Sequence, residues 1–451
     1  MRINSKSLRS VGTQSVPSAA VNGIAFDLSR LFTGTVSSTP RGIDRVDLAY
    51  ARHFYEQWRG DCFGVLPTPW GIRFFSRERS LRVVNFIEDF WCENTDANVD
   101  PRYQWVKSRL TGQQPHPLPA SDHSGGVRFV QGFFSFARQH GLVIGQPIRS
   151  LPQRTAYLNT GQVALAVPQL LSWIAKRQDI KAVFMLQDVI PIEYPEYCSP
   201  RLIRFHRQML ATTARYATAL ILTTLAARNA IQRELGKLRE LAKLSLKEIA
   251  VFAAPLPVPP PFLKSTTSDP DLRRIPYFLM TGAIEPRKNH LLLLNIWCEL
   301  VHECGPTSPK LLVVGSRPGA SNLITDMLDR CDIIRDYIVE INGLPTPALR
   351  KLLAGARALL MPSFAEGFGM PIIEALAVGT PVIASDLLAH QETGGSQVTY
   401  LSPIDGCGWL SAIKAHVDRA PGDRDSQPGA PDHLWNSADY FRRIEAFVCS
   451  L

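Results

Sequence analysis

Glu366 and Glu374 stand with seven residues between them in a run that reads Pro362-Ser363-Phe364-Ala365-Glu366-Gly367-Phe368-Gly369-Met370-Pro371 and continues through Ile372 and Ile373 to Glu374. A carboxylate can accept two hydrogen bonds side by side, which suits neighbouring hydroxyls on a ribose or a hexose. Gly367 and Gly369 let the backbone approach a ligand, and the N–H groups opening the next helix offer donors to hydroxyls or anions. The structural alternative is that Glu374 complements the helix dipole while Glu366 is a solvated loop residue. Arg287 and Lys288 form a second group, five and six residues after Gly282. They stand just ahead of a helix that Asn289 could cap, where two cations can neutralise the charge developing on a diphosphate leaving group. Solvated cations on a surface turn are the plain alternative. Asp188 follows the buried run Lys181–Leu186 after Gln187. It reads equally as a ligand-binding carboxylate at the sheet edge and as the cap of the following turn.

These residues need elements to hold them. Ala358 to Met361 reads as a buried strand, then a glycine loop, then a short helix with Pro371 as its first residue and Glu374 in its first turn. Gly379-Thr380-Pro381 closes that helix before the strand Val382–Ala384. Strands are expected at Tyr277–Thr281, Lys310–Val314 and Tyr337–Ile341, with helices around 291–301, 323–331 and 348–356. Such alternation implies a doubly wound parallel sheet whose ligands bind at the carboxyl ends of the strands. The spacing of a dinucleotide fingerprint is absent around Gly315–Gly319. Earlier in the chain, Ile24–Phe26, Cys62–Leu66, Leu81–Val84, Val127–Phe134, Arg154–Leu158, Lys181–Leu186, Ala219–Thr224 and a strand opening at Val251 are strand candidates. A helix is expected to follow from the Pro40–Val46 run to about Trp58, and others at Arg201 to Arg215 and Leu225 to Leu246. The glycine loop at Gly42 is a further anion or sugar site candidate.

Glu366-Gly367-Phe368-Gly369-Met370-Pro371 with Glu374, flanked by Pro362-Ser363 and Gly379–Ser385, resembles the paired-glutamate signature of retaining glycosyltransferases of family 4. Glu285-Pro286-Arg287-Lys288-Asn289 is similar to a stretch of the bacterial polysaccharide mannosyltransferases of that family, and Arg41–Val46 and Asp188–Pro191 resemble two further segments. The chain departs from the pattern at Gln187, where relatives carry His, and at Ala283, where many carry Arg. A glutamine can hydrogen-bond a sugar but cannot shuttle protons. The resemblance implies a GT-B architecture, two Rossmann-like α/β domains facing a cleft. It further implies a nucleotide sugar in the second domain, with Glu374 on the ribose and Glu366 and the backbone of Phe368, Gly369 and Met370 on the hexose. Arg287 and Lys288, beside Gly282, would stabilise the departing diphosphate, and Gly42 and Asp188 would serve the acceptor. The expected activity is transfer of a hexose, mannose from GDP-mannose in the first instance, onto a lipid-linked saccharide or polysaccharide. UDP-sugar transfer, sugar-nucleotide epimerisation and a catalytically silent nucleotide-sugar-binding protein are the alternatives.

The chain has 451 residues, 45% hydrophobic and 20% charged, which describes globular domains rather than disorder. Residues 1–20 read as a loose tail without a secretory signal, 21–254 as the acceptor domain, 255–275 as a proline-rich linker and 276–425 as the donor domain. Residues 426–451, with Trp435 near the start of a last helix, are expected to cross back to the first domain. The net charge of +9 suits anionic partners, and the basic helix from Leu225 could touch an anionic membrane face. No basic run interleaved with aromatics supports nucleic acid binding. The eight scattered cysteines fit reduced thiols in a cytosolic protein, His116 and His123 lack metal-site spacing, and neither a metal nor a cofactor is expected.

Overall fold

Two sheets carry the chain. The computed structural model describes residues 21–35, 39–68, 71–91, 96–113, 145–242, 248–317, 322–418 and 436–451. The first sheet contains β1 (Gly23–Asp27), β2 (Asp61–Thr68), β3 (Gly71–Ser76), β4 (Gln146–Pro147), β5 (Thr155–Asn159), β6 (Lys181–Leu186), β7 (Ala219–Leu222) and β8 (Ala250–Ala253). Their spatial order is β4-β3-β2-β1-β5-β6-β7-β8. All neighbours are parallel except β3, which runs antiparallel to β2 and β4. The second sheet holds β9 (Tyr277–Thr281), β10 (Lys310–Val314), β11 (Ile338–Ile341), β12 (Leu359–Met361), β13 (Val382–Ser385) and β14 (Val398–Leu401) in the order β11-β10-β9-β12-β13-β14, all parallel. Strands β1, β5, β7, β9, β12 and β13 are buried at every residue, as continuous apolar runs covered by helices on both faces should be.

One expected strand is a helix. Leu81–Val84 lies inside the Arg77–Phe90 helix, whose buried residues Ser80, Val83, Val84 and Ile87 follow a helical period. A four-residue apolar window hides that period. The expected strand at Val127–Phe134 and the histidines His116 and His123 lie outside the described residues, as do the 1–20 tail and Trp435. The basic helix runs from Leu225 to Ala242 and buries Ala227, Ile231 and Leu235 in the first domain's core. Its apolar face is therefore occupied by protein. Among the described residues no helix is long and apolar enough to cross a membrane.

In the first sheet the strand order reverses at β1, between β2 and β5; in the second it reverses at β9, between β10 and β12. Reversal points of this kind leave a crevice at the carboxyl ends of the strands. The stretch between the sheets is not a free linker: Leu256, Val258 and Phe262 are buried in one apolar core with Val46 and Tyr50 of the first domain and Leu352 and Ile373 of the second. The last helix, Ser437–Cys449, is capped by Asn436 and buries Tyr440, Phe441, Ile444 and Val448. It rests on the first domain's Gly42–Glu56 helix: the Tyr50 and Tyr440 hydroxyls are 2.7 Å apart, and Phe441 stacks on His53 at 4.2 Å.

Candidate active site

The loops after β9 and β12 both open at the second domain's reversal point, and this brings together residues some 80 positions apart in sequence. After β9, Gly282 takes a φ of +136°, which only glycine adopts without strain. The chain then makes a single tight turn over Pro286–Lys288. Asn289 does not cap the helix that follows. Its backbone is left-handed, and its side chain instead donates to the carbonyls of Pro362 (3.1 Å) and Pro403 (2.8 Å), which staples the β9 loop to the β12 loop.

That staple sets Arg287 and Lys288 against Glu366. Arg287 Nη1 donates to Glu366 Oε2 at 2.9 Å and to the Ala365 carbonyl at 2.7 Å, while its Nε and Nη2 donate to Glu285 Oε1 at 3.1 and 2.7 Å. Lys288 Nζ pairs with Glu366 Oε1, which also accepts from Ser363 Oγ at 2.8 Å. Glu366 is thus an anchored anion, not the solvated loop residue of the structural reading. Burial pushes its carboxyl pKa up, but the fields of Lys288 and Arg287 outweigh this and hold it well below the ordinary value. Burial acts to lower the Arg287 pKa, yet Glu366 and Glu285 raise it above its ordinary value.

Gly369, at φ +95°, caps the Met370–Ala377 helix, which starts one residue earlier than expected. Glu374 is its fifth residue, past the first turn, and only 2% exposed. A dipole partner would sit in the first turn, so that reading fails. Glu374 Oε1 instead accepts from Arg45 Nη1 of the first domain at 2.6 Å. Gly367 packs so close to Asp188 that an added Cβ would lie 2.8 Å from the Asp188 Cβ, and its carbonyl accepts from Thr224 Oγ1 of the first domain at 3.0 Å. Asp188 caps locally, accepting from the Ile190 N–H at 3.1 Å, and its side chain also faces the Gly367 loop. Gly42 begins its helix opposite Met370, with room for a Cβ 3.8 Å from the Met370 Cβ. The Phe368 carbonyl accepts from Thr393 Oγ1 in the second domain.

Arg45, Glu285, Thr224 and His390 belong to the arrangement without having been singled out. Arg45 and Glu285 lie inside stretches already quoted, and a charge beside a glycine loop was the available signal for both. His390 is fully buried: Nδ1 lies 2.9 Å from the Ser385 carbonyl, while Nε2 has no hydrogen-bond partner among the described residues and sits beside Gly369. Burial lowers its pKa, so it is a neutral imidazole at neutral pH. Glu392, two residues on, accepts from the Leu225 and Ala226 N–H groups at 2.6 and 2.8 Å and so caps a first-domain helix from the second domain. No group of three or more His, Cys, Asp or Glu among the described residues has the geometry to hold a metal ion. What the arrangement offers is a glycine-lined crevice with one buried and one partly buried cation, paired carboxylates and walls from both domains.

Residues 275–415 match the family model described as glycosyl transferases group 1. Over 148 residues the chain is 33% identical to the O-antigen chain mannosyltransferase RfbU of Salmonella typhimurium, covering 32% of this chain and 39% of that one. It is 33% identical over 141 residues to O-antigen chain mannosyltransferase B of Escherichia coli, 31% of this chain and 35% of the relative. The chain thus spans less than half the length of these relatives. Among solved structures, HepE of Anabaena in complex with UDP and glucose superimposes with a TM-score of 0.55 at 16% identity, covering 95% of this chain and all of that one. Sucrose-phosphate synthase of Thermosynechococcus elongatus gives 0.50 at 18% identity over 95% and 97% of the two chains. Residues 275–415 thus match a group 1 glycosyl transferase model, the chain is similar in part to bacterial O-antigen mannosyltransferases, and its two sheets together have a GT-B fold.

Proposed function

We propose that this chain transfers a hexosyl group with retention of configuration from a nucleoside diphosphate sugar, GDP-mannose foremost, to a saccharide acceptor in O-antigen-type polysaccharide synthesis. The observation that carries this reading is the Arg287–Lys288–Glu366 cluster at the reversal point of the second sheet. In the transfer, the bond between the anomeric carbon and the β-phosphate oxygen breaks, and the diphosphate leaves with the electron pair. Lys288 and Arg287 neutralise the charge that develops there. The acceptor hydroxyl oxygen bonds to the anomeric carbon on the face the diphosphate vacates, and its proton passes to the departing phosphate. Glu366, clamped by two cations, is a weak base, so its task is to orient the cations and accept from a hexose hydroxyl. Glu374 exchanges Arg45 for the ribose hydroxyls. The donor site works without a metal ion, and any contact with an anionic membrane is made by the exposed cations of the Leu225–Ala242 helix.

Thermal unfolding with GDP, UDP, ADP, GDP-mannose and UDP-glucose tests the reading. A nucleotide at 100 times its dissociation constant adds about 2.7 kcal/mol of stability. GDP and GDP-mannose are expected to raise the midpoint, and Glu374→Ala is expected to abolish the rise. A response to UDP-sugars alone overturns the GDP-mannose assignment, and no response to any nucleotide overturns the transferase reading.

A further inference from the structure

Three aromatic rings run outward from the cation cluster. Phe364 lies two residues before Glu366, and its N–H donates to the Arg287 carbonyl at 2.9 Å. The ring of Tyr197, from the first domain, stacks on Phe364 at 5.5 Å and 3°. Tyr194 follows at 6.4 Å and 28° from Tyr197 and is 41% exposed. The row therefore starts at the candidate site in one domain and ends at the solvent edge of the other.

The hydroxyls set these tyrosines apart. Tyrosines buried in the core give theirs to the protein: Tyr50 pairs with Tyr440, Tyr103 donates to Asp269 at 2.8 Å, and Tyr277 donates to the Leu352 carbonyl at 2.6 Å. Tyr194 and Tyr197 hydrogen-bond to no described residue through their hydroxyls. A flat ring with an uncommitted hydroxyl presents an apolar face and a polar tip together. The segment also bears Gln187, Asp188 and the exposed Glu196, groups that bind hydroxyls. A pyranose has that same composition, with a face of C–H bonds that packs against the electron-rich face of an aromatic ring and a rim of hydroxyls.

From this geometry we infer that Tyr194 and Tyr197, with Phe364 at their inner end, form a stacking subsite for the terminal pyranose of a saccharide acceptor. The subsite rests on the transferase reading for its purpose but not for its existence. Continuity with the cation cluster selects this occupant: a sugar on Tyr197 lies beside the loop that holds the donor's anomeric carbon in the proposed reaction. Tyr194, at the outer edge, extends the contact to the next sugar of the chain.

Saturation-transfer NMR on the full chain, with methyl α-mannopyranoside and α-linked mannobiose as probes, reads this directly. Ring protons of both probes are expected to receive saturation. Tyr194→Ala is expected to weaken mannobiose about tenfold and methyl mannoside less, while Tyr194→Phe, which keeps the face, stays within about threefold of the native chain. Tyr194 is exposed enough for its truncation to leave the fold intact, and the nucleotide-induced thermal shift of Tyr194→Ala is expected to match the native one. Equal saturation in the native and Tyr194→Ala chains overturns the subsite, as does a native chain that gives neither probe saturation at millimolar concentration. Saccharide contact that depends on Tyr194 in a chain that answers to no nucleotide keeps the subsite and sinks the transferase reading. A nucleotide response without saccharide contact does the reverse.

Discussion

Burial alone would raise the Glu366 carboxyl, and Lys288 and Arg287 more than reverse it. Because the folded pKa lies below the ordinary value near 4.5, the pair's stabilising contribution is fully present above that value and is lost as the pH falls through the folded pKa. Urea midpoints are therefore expected to be flat from pH 8 to about 5.5 on this account and to fall at lower pH. Glu366→Gln leaves the buried Lys288 without its anion, while Arg287 keeps Glu285, and costs roughly 3–5 kcal/mol at neutral pH. The same substitution flattens the acid limb, and an acid limb as steep as the native one would contradict the assignment. Arg287, Lys288 and Glu366 were legible because each sits in a short local run whose residue types suit the chemistry. Their partnership was not, since it depends on two loops brought side by side by the reversal at β9. For the same reason Arg45, 329 positions from Glu374, gave no sign of its partner.

Among the elements, strand-loop-helix units proved most readable where a strand is wholly buried and bounded by glycine or proline, as at β9, β12 and β13. Strand β3 and the two-residue β4 are only partly buried and so lack a continuous apolar run, and the Arg77–Phe90 helix shows its period only over a window longer than the one at Leu81–Val84. Nor does a local window disclose that Glu392 closes the start of the Leu225–Ala242 helix from across the interface. A charged acceptor on two otherwise open N–H groups is worth about 1 kcal/mol. Glu392→Ala is expected to lower stability by that amount and to speed hydrogen exchange in the first turn of that helix. Unchanged exchange there would show that the cap contributes nothing in solution.

At the scale of the whole molecule, the domains meet on one side through a shared apolar core and the returning last helix, and across the crevice through Arg45–Glu374, Thr224–Gly367 and Tyr197–Phe364. The first of these is nearly buried, so a double-mutant cycle on Arg45 and Glu374 is expected to give a coupling of about 1–3 kcal/mol in the nucleotide-free chain. Saturating nucleotide should shrink it, because the ribose replaces Arg45 as the partner of Glu374. A coupling that persists undiminished with nucleotide bound would place the ribose elsewhere. One feature of the cluster reaches beyond affinity. Arg287 and Lys288 are matched one for one by Glu285 and Glu366. The crevice is therefore electrically quiet when empty, despite the +9 charge of the chain, and small ions have little reason to collect in it. Admission is by exchange of partners rather than by long-range pull, so nucleotide affinity should change little between low and physiological salt.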